Sequence, residues 1–380
     1  MSNAGDQMRN PCPAERAMGR RDFLKRGAAT LAATGAAAGL AWWLYDPTGK
    51  AGLLQPQAER LKNYFAGVDY PTDGPRISIA RGRLERIDAM VRAAVGGLGG
   101  KDGMRRFVSR GDTVLLKPNV GFERAPQYGA TTHPEVLRSV IRLYREAGVG
   151  QIIVADNPIE SPESCFSRSG LRQVALEEGA KLLIPADIHF RPIAVRPPRA
   201  DATPYQPDPA RNEALGTWPI FWEALRDVDK VIGLPPIKDH NLCYASMGMK
   251  NWYGLLGGRR NQFHQAIHDI VSDLGFMLSP TLMIVDGTRV MMKNGPTGGR
   301  LDDVKETNTV VASVDQLACD AWCYENLLGR DPAALRYLEL AEQKFGETET
   351  GERAYAQAKR FGTRAWTAYL RQGKIVETNV

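Results

Sequence analysis

The sequence predicts an α/β protein with a doubly wound, mostly parallel sheet, helices on both faces and a helical C-terminal extension. Apolar runs of strand length alternate along the chain with longer segments whose apolar residues recur at helical spacing. We predict the first strands at residues 76–82, 112–119 and 151–158, and the helices between them at 83–95 and 130–148. This strand–helix order favours parallel strands joined by crossover helices.

The segment 130–148 carries the clearest helix signals. Thr132 can cap the helix, Pro134 suits its first turn and Gly148 ends it. We therefore expect His133 at a helix N-terminus, where free backbone N–H groups favour anions. A capping residue without a ligand is the alternative.

Two glycine-rich segments are candidates for a phosphate-binding loop. Residues 96–103 lack the GxxxxGK[ST] pattern and do not lie between a strand and a helix, so we predict a flexible connection there. Residues 293–301 form a tighter glycine loop. That loop can expose backbone N–H groups to an anion, or it can be a simple turn.

Proline content and periodicity divide the chain into segments. We predict a linker at residues 46–75, an α/β domain at 76–330 with a proline-rich excursion at 185–218, and a helical extension at 331–380. Within the second half of the domain, further strands are predicted at 227–234, 281–290 and 307–315.

Charge and cysteine content exclude two classes of protein. The 380 residues carry a net charge of +6, but half of this excess lies in residues 1–45, so the remainder has no nucleic-acid-binding signature. The five cysteines are odd in number and sparse, which argues against a disulfide scaffold. We expect a globular protein that does not bind nucleic acid.

The N-terminus resembles a twin-arginine export signal. Residues 19–26 read GRRDFLKR, and a weakly apolar run without Lys or Arg follows to Tyr45. The resemblance implies recognition by the twin-arginine translocation machinery and a periplasmic location. Trp42 and Trp43 lie where interfacial aromatic residues would lie, so an uncleaved inner-membrane anchor at 1–45 is an alternative. A chance arginine pair before a buried helix is another.

A segment at 235–254 concentrates the chemistry of the chain. Its two prolines predict a loop beyond the strand at 227–234, at the sheet edge where open α/β sheets bind ligands. Lys238, His240, Lys250 and Asn251 lie in it and point to an anionic ligand; a solvated basic loop is the alternative. Side chains at other predicted strand ends would join them: Lys117, Asn119, Asp156 and Asp286.

His264 and His268 lie one turn apart in the helix predicted from residue 261. That spacing can supply two metal ligands, although the HExxH pattern of metalloproteases is absent. The alternative is two partly buried histidines at the border of an apolar face.

Several short motifs together resemble the domain-of-unknown-function 362 family over residues 76–330. They are LLKPN (115–119), TTHPEVLRSVIRLYREAG (131–148), PPIKDH (235–240), MKNWYGLLGG (249–258), IVDG (284–287) and NGPTGG (294–299). The resemblance implies the fold far more than an activity. Some members of the family carry a ferredoxin-like segment with closely spaced cysteines. This sequence lacks one, so we expect no iron–sulfur cluster. The recurring positions map here to Lys117, Asn119, His133, Asp156, Lys238, His240, Lys250, Asn251, Asp286 and Asp320.

The first functional hypothesis is a metal- or redox-dependent enzyme, such as an oxidoreductase, acting on an anionic substrate or cofactor. In it, His240, Lys238 and Asp286 are catalytic, with Asp286 orienting His240 or holding a metal. The ligand would be bound by Lys117, Asn119, His133, Lys250, Asn251 and Asp156. A divalent metal ion at His264 and His268 is the expected cofactor. A non-catalytic periplasmic binding or accessory protein is the alternative.

Overall fold

The strands form one large mixed sheet and one antiparallel pair. The computed structural model describes residues 60–195, 215–346 and 374–380. Its strands are β1 (Ile77–Arg81), β2 (Thr113–Pro118), β3 (Gln151–Ala155), β4 (Lys181–Leu183), β5 (Phe190–Ala194), β6 (Thr217–Phe221), β7 (Lys230–Leu234), β8 (Pro236–His240), β9 (Tyr244–Ser246), β10 (Leu282–Met291), β11 (Val304–Ser313) and β12 (Ile375–Asn379).

α-Helices lie between several of these strands. They are α1 (Ile87–Gly99), α2 (Pro134–Ala147), α3 (Pro162–Arg168), α4 (Leu171–Glu177), α5 (Gly248–Asn251), α6 (Ile267–Met277), α7 (Gln316–Asn326) and α8 (Arg336–Gly346). Short 3-10 helices accompany them, notably at Gly100–Arg106, Trp252–Leu255 and Arg260–Ala266.

The strand order confirms the predicted fold class. In the large sheet the order is β12-β1-β11-β10-β7-β2-β3-β4, and β8 pairs with β10 and β9 beside this path. The neighbours from β10 to β4 are all parallel, as are β12 and β1. β11 runs antiparallel to both of its neighbours. The sheet is therefore mixed and mostly parallel.

Helices cover both faces of the sheet. Leu115 and Val231 belong to a buried hydrophobic cluster that includes residues of α6 and α7. Their neighbours Leu116 and Ile232 belong to a second cluster that includes residues of α1 and α2. Because successive strand side chains point to opposite faces, the apolar runs of β2 and β7 contribute to both clusters.

The carboxyl ends of three neighbouring strands lie at one edge of the sheet. Lys117 and Pro118 at the end of β2 pair with Gly233 and Leu234 at the end of β7. β3, the other neighbour of β2, ends at Ala155. The segments that follow these three strands therefore start side by side, at the edge where open α/β sheets bind ligands.

The segment 235–254 is more regular than its prolines predict. It contains β8, the antiparallel strand β9 and the short helix α5. The prediction of a loop is wrong because Pro236 is the first residue of β8, where a missing N–H costs no ladder hydrogen bond. The Pro235 carbonyl still accepts a hydrogen bond from the Asp286 N–H, at 2.8 Å.

The predicted flexible connection at 96–103 is wrong at its start, because α1 continues to Gly99. A Cβ atom at Gly97 would lie 2.2 Å from the Ser78 Oγ of β1. The glycine at this position therefore allows the helix to lie close against the sheet, which explains a glycine inside a helix.

The predicted C-terminal extension and proline-rich excursion both contribute to the sheets. In the extension at 331–380, α8 is helical as predicted, and β12 at its end pairs with the otherwise open edge of β1. The excursion at 185–218 supplies β5 and the first two residues of β6, and these two strands pair with each other. In the predicted linker, Tyr64 is buried and its N–H donates to the Ser279 carbonyl at 3.0 Å.

The predicted export signal or anchor at 1–45 lies outside the described residues. In the described ranges, no helix has the length and apolar character that a membrane span requires.

Candidate functional site

A cavity of about 290 Å³ opens at the carboxyl edge of the sheet. Its volume is near the lower end of the range of about 300–1,000 Å³ that is typical of small-molecule sites. The segments after β2 and β3, the β8–β9 hairpin, α5 and the glycine loop at 294–299 contribute to its wall. The polar side chains that line it are Asn119, Asp156, Asn157, Lys238, His240, Asn241, Ser246, Lys250, Tyr253, Arg260, His264 and Thr297.

Lys117 and Asp156 form a buried ion pair at this edge, with their Nζ and Oδ1 atoms 2.6 Å apart. The other carboxylate oxygen of Asp156 accepts from the Val120 N–H at 2.6 Å. The Lys117 Nζ also donates to the carbonyl of Pro118, at 2.8 Å. Burial lowers the pKa of Lys117, and the charge of Asp156 opposes this shift. The charge of Asp156 is therefore already matched within the protein.

Two side-chain amides connect this pair to a second lysine. Asn251 Oδ1 accepts from Lys117 Nζ at 3.0 Å and from Asn119 Nδ2 at 3.2 Å. Asn119 Oδ1 in turn accepts from Lys238 Nζ at 2.9 Å. The structure thus brings together Lys117, Asn119, Asp156, Lys238 and Asn251, which the sequence predicted to share one site.

Lys238 lies on β8 and is buried in the cavity wall. Its Nζ donates to Asn119 and to the Ala130 carbonyl, at 2.5 Å, and lies 5.3 Å from the centre of the Phe122 ring. Burial, followed by the positive charge of Lys250, lowers the pKa of Lys238 to about 7. Both protonation states are therefore accessible near neutral pH.

Lys250 has no hydrogen-bond or ion-pair partner within the described parts of the chain, and its Nζ lies 4.0 Å from the centre of the Tyr253 ring. Burial lowers its pKa. The helix α5 that carries it is fixed at its N-terminus by Asp320, which accepts from the N–H groups of Gly248 at 2.7 Å and Met249 at 2.9 Å. Asp320 thereby positions Lys250.

Arg260 is a cationic residue of the site that the sequence analysis missed. Within the described residues, the acceptors of its guanidinium are the backbone carbonyls of Tyr253, Leu256, Asn157 and Pro158, at 2.5–3.2 Å. Burial lowers its pKa. In the sequence, Arg260 lies beside Arg259 after two glycines, and no motif distinguishes it. Its contacts with the carbonyls of Asn157 and Pro158 place it at the cavity.

His240 and His264 both line the cavity, with their ring centres 6.4 Å apart. Burial, followed by the charges of Lys250 and Lys238, lowers the pKa of His240 to about 2. The His240 Nδ1 accepts from the Leu242 N–H at 3.2 Å, so the neutral ring carries its proton on Nε2. His240 can therefore donate a hydrogen bond to a ligand without being charged.

The cavity carries unbalanced positive charge. Lys238, Lys250 and Arg260 have no carboxylate partner among the described residues. Asp156, the carboxylate in the lining, is paired with Lys117. Buried cations are normally paired, so this arrangement is typical of an anion-binding site.

The structure does not bring Asp286 to His240. Asp286 lies inside β10 rather than at its end, and it does not line the cavity. Its carboxylate accepts from the His133 N–H at 2.7 Å and from the N–H and hydroxyl of Thr288 at 3.0 and 2.6 Å. In this position Asp286 fixes the start of α2, and its predicted catalytic role stays a prediction.

His133 lies at the N-terminus of α2 as predicted, but it is His133 rather than Thr132 that caps the helix, and His133 does not line the cavity. Its Nδ1 accepts from the Glu135 N–H at 3.2 Å, and its Nε2 lies 3.4 Å from a guanidinium nitrogen of Arg289. The structure thus favours the alternative of a capping residue over that of a ligand-binding one.

The two histidines predicted to hold a metal have different surroundings. His264 lines the cavity, whereas the His268 ring lies beside the rings of Tyr244 and Tyr337, with centre distances of 5.6 and 6.2 Å. The residues that the structure describes contain no group of three or more His, Cys, Asp or Glu side chains arranged for a metal. The metal site stays a prediction.

Comparisons with known proteins found a similar protein sequence and a similar solved structure. The chain is 31% identical over 257 residues to the thylakoid-associated protein sll1697 of Synechocystis sp. (strain ATCC 27184 / PCC 6803 / Kazusa), over 65% of this chain and 72% of that protein. Among solved structures, it is similar to the lactate racemase apoprotein from Thermoanaerobacterium thermosaccharolyticum, with 12% identity and a TM-score of 0.34. That match covers 65% of this chain and 56% of the solved chain.

Residues 114–325 match the family model described as Domain of unknown function (DUF362). This range includes the Lys117–Asp156 pair, the β8–β9 hairpin, α5 and Asp320, and it is more than half of the chain. The resemblance found in the sequence motifs is thereby confirmed: the chain belongs to the DUF362 family.

Proposed function

We propose that this chain is an enzyme that binds an anionic small molecule in the cavity and exchanges a proton with it through Lys238. The observation that carries the proposal is the charge of the cavity. Lys238, Lys250 and Arg260 are buried there without a carboxylate partner in the described ranges.

A bound anion would offset the free-energy cost of burying these cations. Removing a cation from water costs several kcal/mol unless a counter-charge compensates it. The cations are also held in place before any ligand arrives. Lys238 is fixed by Asn119 and the Ala130 carbonyl, and Arg260 is fixed by its backbone carbonyls. A pre-organised site of this kind loses little conformational entropy on binding.

The side chains have different roles in this proposal. Lys250, whose Nζ has no polar partner in the described residues, makes the direct ionic contact. His240 donates from its neutral Nε2. Arg260 acts through its field, because its guanidinium is already hydrogen-bonded to carbonyls.

Proton exchange is assigned to Lys238 rather than to His240. A general acid or base works best when its pKa lies near the working pH. Burial and the charge of Lys250 bring the pKa of Lys238 to about 7, whereas burial keeps the pKa of His240 near 2. We therefore assign to Lys238 the proton transfer that the sequence motifs indicated for His240.

Calorimetric titration of the full chain with inorganic phosphate, and separately with succinate, tests the anion site. We expect Lys250→Gln to weaken the binding of the better probe at least tenfold. Lys305→Gln, at an exposed lysine of β11, is the matched control and should bind like the wild type. If neither probe binds the wild type, or if Lys250→Gln binds as well as the control, the proposal is wrong.

A non-catalytic binding protein is the second candidate. It would need the cations but not a lysine that titrates near neutral pH. Each anion that raises the melting temperature can be incubated with the chain in D₂O and analysed by mass spectrometry. Product or deuterium incorporation that is lost in Lys238→Met supports an enzyme, and a ligand recovered unchanged supports a binding protein.

We also propose export by the twin-arginine pathway to the periplasm, with residues 1–45 holding the chain at the membrane. The GRRDFLKR motif and the thylakoid association in the name of the Synechocystis relative support a membrane-associated location. Cell fractionation of the full chain beside Arg20→Lys/Arg21→Lys tests this. The variant should stay in the cytoplasm, and an unchanged distribution would refute the proposal.

A further inference from the structure

Three apolar side chains from three different segments lie at the cavity. Phe122 follows β2, Ile159 follows β3, and Leu242 is in the turn between β8 and β9. We name these three residues the apolar rim. Ile159 is 45% exposed and Leu242 is 47% exposed, which places them among the few large apolar side chains that are exposed in the described residues.

The backbone holds this apolar rim in position. The Ile159 N–H donates to the Gly121 carbonyl at 3.0 Å, which ties the segment after β3 to the segment after β2. The Leu242 N–H donates to the His240 ring. The Phe122 ring lies 5.3 Å from the Lys238 Nζ, so apolar and cationic surfaces adjoin. Exposed apolar side chains gathered around a cavity are typical of a ligand-binding surface.

From this arrangement we infer the substrate class: a phosphate monoester whose organic part is apolar, an aryl or alkyl group. The inference rests on the proposed anion site and adds the nature of the rest of the ligand. The phosphate would lie among Lys238, Lys250 and His240, and the organic part would contact the apolar rim.

The charge count favours a doubly charged group over a single carboxylate. Lys238, Lys250 and Arg260 all line the cavity, and none of the three has a carboxylate partner among the described residues. A monoanion would balance one of these charges. A phosphate monoester carries nearly two negative charges at neutral pH, and its oxygens can accept from both lysines.

Probes that differ in the organic part of the ligand test this inference independently of the anion site. Calorimetric titrations of the full chain at neutral pH compare four probes: inorganic phosphate, glycerol 3-phosphate, phenyl phosphate and benzoate. We expect phenyl phosphate to bind at least tenfold more tightly than glycerol 3-phosphate, because only its ring can remove the apolar rim from water. We expect benzoate to bind more weakly than phenyl phosphate.

The rim variant Ile159→Ser/Leu242→Ser should lose the preference for phenyl phosphate while its affinity for inorganic phosphate stays within twofold of the wild type. Leu176→Ser, at a 60% exposed leucine of α4 that does not line the cavity, is the matched control. All three positions are solvent-accessible, so folding is retained, and a melting curve checks this.

Each contrary result has a distinct meaning. Phenyl phosphate and glycerol 3-phosphate binding equally, both dependent on Lys250, would overturn the apolar ligand and leave the anion site intact. Benzoate binding as tightly as phenyl phosphate would overturn the phosphate. If the apolar rim binds a protein partner and not the ligand, the rim variant would keep the wild-type preference for phenyl phosphate, and this result would overturn the inference. Failure of every probe, succinate included, would overturn the anion site and this inference with it.

Discussion

Gly254 and Asp156 are so close that the site has no room for a side chain at residue 254. A Cβ atom built there would lie 1.9 Å from Asp156 Oδ1 and 2.6 Å from Lys117 Nζ. The Gly254 carbonyl also accepts from the Asn157 N–H at 2.9 Å. The segment after α5 and the segment after β3 therefore meet backbone to backbone at the ion pair.

Gly254→Ala is expected to destabilise the chain and to weaken anion binding. The added methyl group must displace the Asp156 carboxylate, and inserting a methyl group into a packed interior costs about 1–3 kcal/mol. Urea unfolding gives the change in stability, and titration with inorganic phosphate gives the change in affinity.

Gly96→Ala provides the control. Gly96 lies in α1, and a Cβ there would have no atom within 4 Å. We expect the variant to be unchanged or more stable by about 0.5–1 kcal/mol, since alanine favours helix. Equal stability losses at residues 96 and 254 would contradict the steric argument.

The ion pair itself makes a second prediction. Asp156→Asn leaves Lys117 as a buried cation without its counter-charge, and breaking a buried pair in this way typically costs about 3–5 kcal/mol. Lys117→Met is expected to cost a similar amount. The double variant should lose much less than the sum of the two, because neither charge is then left alone. Additive losses in urea unfolding would show that the two charges do not stabilise each other.

Much of the site could be predicted from the sequence because parallel strands align their carboxyl ends. Lys117 lies at the end of β2, Asp156 follows the neighbouring strand β3, and the run after β7 supplies Lys238 and Lys250. Topology alone therefore brings these residues together. The predicted position of Asp286 at the end of a strand is wrong because β10 continues past it to Met291. Strand length is set by pairing with β11, and that pairing cannot be read from the residues of β10 alone.

Other parts of the site depend on tertiary contacts that carry no local signal. Arg260 joins the cavity by donating to carbonyls of residues about one hundred positions earlier, Asn157 and Pro158. The pKa of Lys238 depends on burial and on Lys250, which a different secondary element carries. No periodicity in the sequence encodes either fact.

Asp320 offers a test of how α5 is held. Asp320→Ala leaves the Gly248 and Met249 N–H groups without their acceptor, and a buried polar group without a partner costs about 1–3 kcal/mol. We expect lower stability together with weaker phosphate binding, because Lys250 is no longer fixed. Asp320→Asn keeps one acceptor oxygen and should recover part of both losses. Stability loss without any change in affinity would mean that Asp320 does not position Lys250.

Metal content can be measured on the purified full chain together with His264→Ala and His268→Ala. The sequence predicts that both histidines hold a divalent metal, and the structure puts only His264 of the two in the cavity lining. We expect stoichiometric metal in the wild type that both single variants lose. Loss in His264→Ala alone would restrict the site to the cavity, and a metal-free wild type would refute the prediction.

Lys238→Met should alter how stability depends on pH. In the unfolded chain the lysine pKa is about 10.4, whereas burial and Lys250 lower the pKa of Lys238 to about 7 in the fold. Between these two pKa values the unfolded state binds more protons than the folded state. The contribution of Lys238 therefore makes the wild-type free energy of unfolding rise with pH. Methionine does not titrate. The variant should therefore exceed the wild type in stability most clearly below about pH 7, and the difference should shrink by up to about 1.4 kcal/mol per pH unit above it.

Urea unfolding of both proteins between about pH 6 and about pH 9 measures this difference, and its slope counts the protons involved. Lys305→Met, at an exposed lysine, should give a curve parallel to the wild type. Anion binding should depend on pH in the opposite direction. The lysine must be charged to attract the ligand, so the affinity for succinate, whose own charge is constant in this range, falls as pH rises through 7. Parallel stability curves for Lys238→Met and the wild type would mean that Lys238 keeps its charge in the fold, and proton exchange at neutral pH would have to be assigned to another group.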